Sequence, residues 1–164
     1  MKKRLFVFLA ALITVMPLAA RPPMAASIDL GVAQDLLKKT CYQINADYRI
    51  RISDDFEARV PVTFSLAEKK WIIDAGISIN YYPFDNGLYF GINAVEFGYT
   101  DSAFMALNEI SAGWTFNFKT KLIIEPEIVI RDPSGTYSDE YSALKGTFSS
   151  YSTFRVRLKA GYKF

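Results

Sequence analysis

The closing stretch Thr153-Phe154-Arg155-Val156-Arg157-Leu158-Lys159-Ala160-Gly161-Tyr162-Lys163-Phe164 alternates without a break. Successive side chains of a strand point to opposite sides. Phe154, Val156, Leu158, Ala160, Tyr162 and Phe164 therefore share one face, and Arg155, Arg157, Lys159, Gly161 and Lys163 share the other. Such a segment reaches roughly 40 Å at about 3.3 Å per residue, which at a tilt near 45° covers the ~25–30 Å apolar layer of a membrane. One strand of this kind is only suggestive; its repetition along the chain carries the argument.

The repetition is there. Tyr42, Ile44, Ala46, Tyr48, Ile50 and Ile52 alternate with Gln43, Asn45, Asp47, Arg49, Arg51 and Ser53. After Asp54-Asp55, the run Phe56, Ala58, Val60, Val62, Phe64 and Leu66 alternates with Glu57, Arg59, Pro61, Thr63 and Ser65. Pro61 has no N–H to give a ladder, so it predicts a bulge or an unpaired site. Beyond Glu68-Lys69-Lys70 come Trp71, Ile73, Ala75, Ile77, Ile79 and Tyr81, and then a turn at Pro83-Phe84-Asp85-Asn86-Gly87. In Leu88–Tyr99 the apolar phase slips from Leu88, Phe90, Ile92 and Ala94 to Val95, Phe97 and Tyr99, the mark of a β-bulge near Ala94. Asn108–Phe118 and Leu122–Arg131 follow, joined by a tight connection at Lys119-Thr120, with Ile123 and Val129 as apolar exceptions on the polar face.

With the terminal segment this makes seven strands, whereas single-chain bacterial barrels close with an even number. Tyr141–Tyr151 is the favoured source of an eighth, ahead of Ile28–Lys38, where Val32, Ala33, Leu36 and Leu37 also fit a helical stripe. The expected fold class is all-β: an eight-stranded antiparallel up-and-down transmembrane β-barrel. The choice of eighth strand decides which connections face the periplasm.

The amino terminus reads as an address. Lys2, Lys3 and Arg4 precede an apolar run from Leu5 to Val15, then Pro17 and small residues at Ala19, Ala20, Ala25, Ala26 and Ser27. This is the order of a secretory signal peptide over residues 1–27, with cleavage after 20 or 27, leaving a single barrel domain over 28–164. Losing those three basic residues takes the 19 Lys and Arg to 16, against 17 acidic residues, so no basic field for nucleic acid is expected. Cys41 is the only cysteine, so no internal disulfide forms; the polar Leu37-Lys38-Lys39-Thr40 before it is unlike the sequence preceding a lipid-modified cysteine.

Period two alone does not say which face turns inward. Large aromatics near strand ends (Tyr42, Trp71, Tyr81, Phe118, Tyr162, Phe164) suit the two interfacial girdles of a membrane barrel, and so many rings would crowd an eight-stranded lumen. The polar face carries both signs. Asp47, Arg49, Arg51, Glu57, Arg59, Asp74, Glu109, Glu125, Glu127, Arg155, Arg157 and Lys159 are the expected lumen charge network.

The end of the chain resembles the assembly signal of outer-membrane β-barrel proteins, with Arg157 in the polar place and Tyr162 and Phe164 in the aromatic ones. Lys159 stands where that pattern has glycine, and Gly161 follows two residues later. Together with the strand series the chain resembles small barrels of the OmpX/OmpW-like type. The resemblance implies insertion by the barrel-assembly machinery into the bacterial outer membrane.

The chain has no histidine, which the barrel enzymes of outer membranes use for proton transfer, and it has no P-loop, dinucleotide fingerprint or Cys/His cluster. Glu125 and Glu127 with Glu109 are the one group resembling a carboxylate site, and they serve better as partners of the lumen arginines. Asp132-Pro133-Ser134-Gly135 and Ser138-Asp139-Glu140 lack the ligand spacing of a Ca²⁺ loop. The expected protein is not an enzyme, uses no cofactor, is monomeric and has outer-membrane lipids as its surroundings. Its expected role is envelope structure, surface interaction or passage of very small or hydrophobic molecules. It would be porin-like in architecture, but without the 16–18 strands of a wide pore. The alternative is a soluble periplasmic barrel holding a lipid or other apolar ligand, with its faces inverted; a carboxylate hydrolase is the remote third.

Overall fold

The computed structural model describes residues 23–32, 41–67, 70–101, 104–135 and 139–164. In chain order the strands are β1 (Met24–Asp29), β2 (Cys41–Arg51), β3 (Phe56–Ala67), β4 (Lys70–Tyr81), β5 (Leu88–Thr100), β6 (Phe104–Leu107), β7 (Glu109–Trp114), β8 (Phe116–Asn117), β9 (Leu122–Arg131) and β10 (Phe154–Lys163). A helix α1 (Asp139–Thr147) lies between β9 and β10. Every pairing is antiparallel. β6 and β7 both pair with β5, and β7 and β8 both pair with β9, so these three segments act as one bent stave. β10 pairs with β9 on one side and β1 on the other, which closes an eight-stave barrel. Closure gives each long stave a neighbour on both sides, with β1 pairing 46–50 of β2 and 159–163 of β10 and β6 pairing with β5.

The eighth stave is neither segment expected to supply it. Tyr141–Tyr151 belongs to α1 and a 3₁₀ turn at Ser149–Tyr151, while β1 reaches only Asp29 of the Ile28–Lys38 alternative. The reason is periodicity. Tyr141, Leu144, Phe148 and Tyr151 recur at helical spacing and all four are buried, whereas Met24-Ala25-Ala26-Ser27-Ile28-Asp29 alternates only weakly because its side chains are small. β1 begins four residues before the domain boundary expected at 28, and a cut after Ser27 would fall within it.

The remaining staves follow the alternation. Ala94 is an extra residue on β5 relative to both neighbours: Ile77 faces Val95 while Ser78 faces Asn93, and Ile92 faces Ile110 while Glu96 faces Leu107. Ala94 and Val95 both point out while Asn93 and Glu96 both point in, the geometry of a bulge. Pro61 pairs with Asp47 of β2, but the ladder to β4 is interrupted between Arg59 and Val62 without a change of register. The stave expected over Asn108–Phe118 begins earlier, at Phe104, because Asn108 breaks the run that the alternation was read from.

The connections 52–55, 82–87 and 118–121 gather at one end with both strand termini. There Arg51 N–H donates to Pro23 O at 2.9 Å, Phe164 N–H to Met24 O at 3.1 Å and Lys163 N–H to Lys121 O at 2.8 Å. Gly87, at φ 91°, completes the Asn-Gly turn, with Asn86 Oδ1 accepting from Leu88 N–H at 3.0 Å. The long connection after β9 lies at the other end.

Candidate functional site

The two faces of the sheet are unambiguous. Ile50, Val62, Ile77 and Leu158 are 46%, 44%, 51% and 44% exposed on the outside, while Arg49, Arg59 and Arg157 are at most 4% exposed within. In a soluble domain the apolar face would be the covered one, so the sheet is inside out relative to an aqueous protein.

The outer face is also banded. Near the end with the long connection it carries Tyr42, Trp71, Tyr99 and Phe104, and near the terminal end Phe56, Tyr81, Phe116, Tyr162 and Phe164. Within the bands, Trp71 meets Tyr99 at 5.6 Å, Phe56 meets Tyr81 at 5.2 Å and Tyr162 meets Phe164 at 5.8 Å. Between them the surface is mainly aliphatic, with Ile44, Val60, Val62, Ile73, Ile77, Ile92 and Val156 outnumbering Tyr48, Phe64 and Phe97. Trp71 and Tyr81 bracket the aliphatic stretch of β4, and that separation spans about 23 Å along the barrel axis at a rise of about 3.3 Å and a tilt near 45°.

The lumen holds a connected chain of opposite charges. Arg131 pairs with Glu109 at 3.0 Å and Glu109 with Arg157 at 2.6 Å; Glu127 sits 3.4 Å from Arg157 and 3.2 Å from Lys159. Lys159 continues to Asp47 at 2.8 Å, and Asp47 lies 3.6 Å from Arg49. Arg49 then reaches Glu125 at 2.5 Å, Glu125 reaches Arg59 at 3.1 Å and Arg59 reaches Glu57 at 2.7 Å. The chain ends at Tyr82, whose hydroxyl donates to Glu57 at 3.2 Å.

Arg49 and Arg59 face each other on neighbouring strands, a repulsive placement that Glu125 bridges from across the lumen, with Asp47 beside Arg49 and Glu57 beside Arg59. Thr115 adds a hydroxyl donor to Glu125 at 2.5 Å. Taking such charges out of water is expensive, and only close pairing with further hydrogen bonds offsets it. A void at mid-lumen, lined by Asp47, Ser78, Asn93, Glu127, Arg157 and Lys159 among others, measures about 10 Å³, room for roughly one water molecule. The interior of an eight-stave barrel is just wide enough for side chains to fill.

Of the residues expected in this network, Asp47, Arg49, Glu57, Arg59, Glu109, Glu125, Glu127, Arg157 and Lys159 lie on the connected chain. Arg155 pairs separately, with Asp29 at 2.6 Å, and Arg51 is half-buried at the rim. Asp74 is inside but forms no ion pair among the described residues; it accepts from the Tyr151 hydroxyl. Burial pushes the Tyr151 phenol well above its ordinary range, so it remains a donor. Glu125 and Glu127 are each engaged by cations and do not form a free carboxylate pair.

The sequence reading left Asp29, Glu96 and Arg131 out of the network. Glu96 sits 3.2 Å from Arg131, and its inward position could have been read from the phase of Val95 and Phe97 past the bulge. Asp29 was missed with its strand. Ile72, Ile123 and Val129, all apolar, also point inward and are buried.

Of the residues expected to form an assembly signal, Arg157 is in the lumen, and Tyr162 and Phe164 lie outside at the terminal rim. A scan of family models, a search of curated proteins and a search of solved structures each find no match to this chain.

Proposed function

We propose that this chain is a bacterial outer-membrane barrel of the small OmpX/OmpW-like type, without catalytic activity, whose lumen is closed by its own side chains. The observation that carries the reading is the outer wall: an aliphatic band between two aromatic belts, wrapped around a paired-charge interior. A band about 25 Å tall with aromatic girdles is what lipid tails and headgroups select. A soluble carrier of apolar ligands would need the opposite arrangement, with Ile50, Val62, Ile77 and Leu158 turned inward.

The role that follows is structural or adhesive at the envelope, with at most very small or apolar molecules passing. Membrane barrels place short turns toward the periplasm and longer loops outside, so the end carrying the termini faces the periplasm. The signal peptide is then cut after Ala20, since β1 must survive processing. Insertion falls to the barrel-assembly machinery, acting on the terminal strand with Tyr162 and Phe164, and the mature protein works as a monomer among outer-membrane lipids.

Two measurements test this. Carbonate should leave the protein in the membrane fraction while detergent extracts it, and the extracted protein should migrate differently on gels before and after boiling. Release by carbonate alone, or identical mobility in both lanes, would overturn the reading. In planar bilayers no steady, large conductance is expected.

A further inference from the structure

The connection between β9 and β10 does more than join them. Its residues 139–151 fold back into the barrel mouth, where Tyr141, Leu144, Phe148 and Tyr151 cluster with Cys41, Ala67, Ile72, Met105 and Leu107 of the wall. Phe148 and Tyr151 are completely buried there. The backbone hydrogen bonds within this segment are its own: Phe148 N–H to Leu144 O at 2.8 Å, Tyr151 N–H to Phe148 O at 3.2 Å and Ser152 N–H to Ser149 O at 3.1 Å.

Side chains hold the segment to the wall. Gln43 Nε2 donates to Ser150 Oγ at 2.6 Å, the Tyr151 hydroxyl donates to Asp74, and the Arg131 guanidinium lies 5.0 Å from the centre of the Tyr151 ring. The segment can therefore leave as a unit while every stave keeps its ladder. What it would uncover has a definite chemistry: an apolar collar above a carboxylate acceptor and a guanidinium platform, now filled by a phenol.

We propose that residues 139–151 form a detachable plug, and that the mouth beneath it is a binding site for a small ring-bearing molecule with a hydroxyl donor, which takes the place of Tyr151. The ring stacks against Arg131, the hydroxyl donates to Asp74, and the collar covers the apolar remainder. This goes beyond the envelope role above and depends only on the barrel, so it can fail while that role stands, and the reverse.

Two readouts on detergent-extracted, folded protein test it. In the first, 4-methylphenol is added to the unaltered chain and chymotrypsin cleavage within 139–151 is followed; cleavage should rise saturably by about tenfold as the plug is displaced, and toluene, which lacks the donor, should do much less. No change with 4-methylphenol, or an equal effect of toluene, would overturn the ligand site. In the second, Cys41, buried in the collar at the rim end of β2, reports opening through its reaction with a maleimide. Tyr151→Phe keeps the ring and loses the bond to Asp74, so labelling should speed by about tenfold while the gel shift on boiling persists. An unchanged rate in the folded variant would overturn the detachable plug. Should Tyr151→Phe fail to fold, Ser150→Ala, which removes the contact to Gln43, is the second variant, with the same two outcomes.

Discussion

Arg49 grips Glu125 with both terminal guanidinium nitrogens, Nη1 at 2.6 Å and Nη2 at 2.5 Å, across the lumen between β2 and β9, and neither side chain is reached by solvent. Glu125 is also the partner of Arg59, so one carboxylate holds two arginines that would otherwise oppose each other on adjacent strands.

Glu125→Gln is accordingly expected to be among the most damaging single changes in the lumen. It keeps shape but leaves two buried guanidinium groups short of a counter-charge, a loss of about 3–5 kcal/mol by the general cost of breaking a buried pair. Urea titration of the refolded protein in lipid vesicles measures it; a change under about 0.5 kcal/mol would show that Glu125 is not the keystone of this network.

On the outer wall the reverse substitution is informative. Ile77 lies in the middle of the aliphatic band and is 51% exposed. Ile77→Lys would place a charge among lipid tails and should lower stability in vesicles by about 2–4 kcal/mol, while Asp85→Lys in the connection at the terminal rim should change it little. Equal effects at the two positions would argue that no lipid touches the band.

Gly113 illustrates packing inside the wall. It faces Tyr89 across β5 and β7, and a Cβ there would stand 2.5 Å from the Tyr89 hydroxyl and 2.6 Å from Cζ. Gly113→Ala is expected to cost about 1–3 kcal/mol through overpacking. Adding Tyr89→Val should recover part of that loss, and a double-mutant cycle measures the coupling; strictly additive effects would contradict the contact.

Closure makes its own prediction. Deleting residues 24–27 removes most of β1, leaving β2 and β10 with unpaired edges. Such a chain should lose the mobility difference between unheated and boiled samples and should aggregate on refolding, because open edges cannot be satisfied in an apolar layer. A retained gel shift would mean that another segment can take the place of β1.

Most of the barrel was legible from alternation alone. Period two is a local property of the backbone, so Tyr42–Ile52 or Phe154–Phe164 announces which residues share a face with no knowledge of the rest. The bulge at Ala94 was legible for the same reason, because a phase slip in the pattern is the bulge itself. What alternation could not supply was partnership: Arg49 and Glu125 are 76 positions apart and meet only because the sheet curls until β10 meets β1.

Two elements were hidden by their own composition. Small residues in Met24–Asp29 look like the end of an export signal, and only the gap between β10 and β2 makes them a strand. The segment around Tyr141–Tyr151 carries its apolar residues at helical spacing, yet what that stripe packs against is set by the barrel mouth. The sequence by itself determined the staves and their two faces, since these follow from short-range backbone geometry. Only the tertiary structure decided which stave closes the barrel, which charges pair and what plugs its end, since those depend on residues that curvature brings together across the lumen.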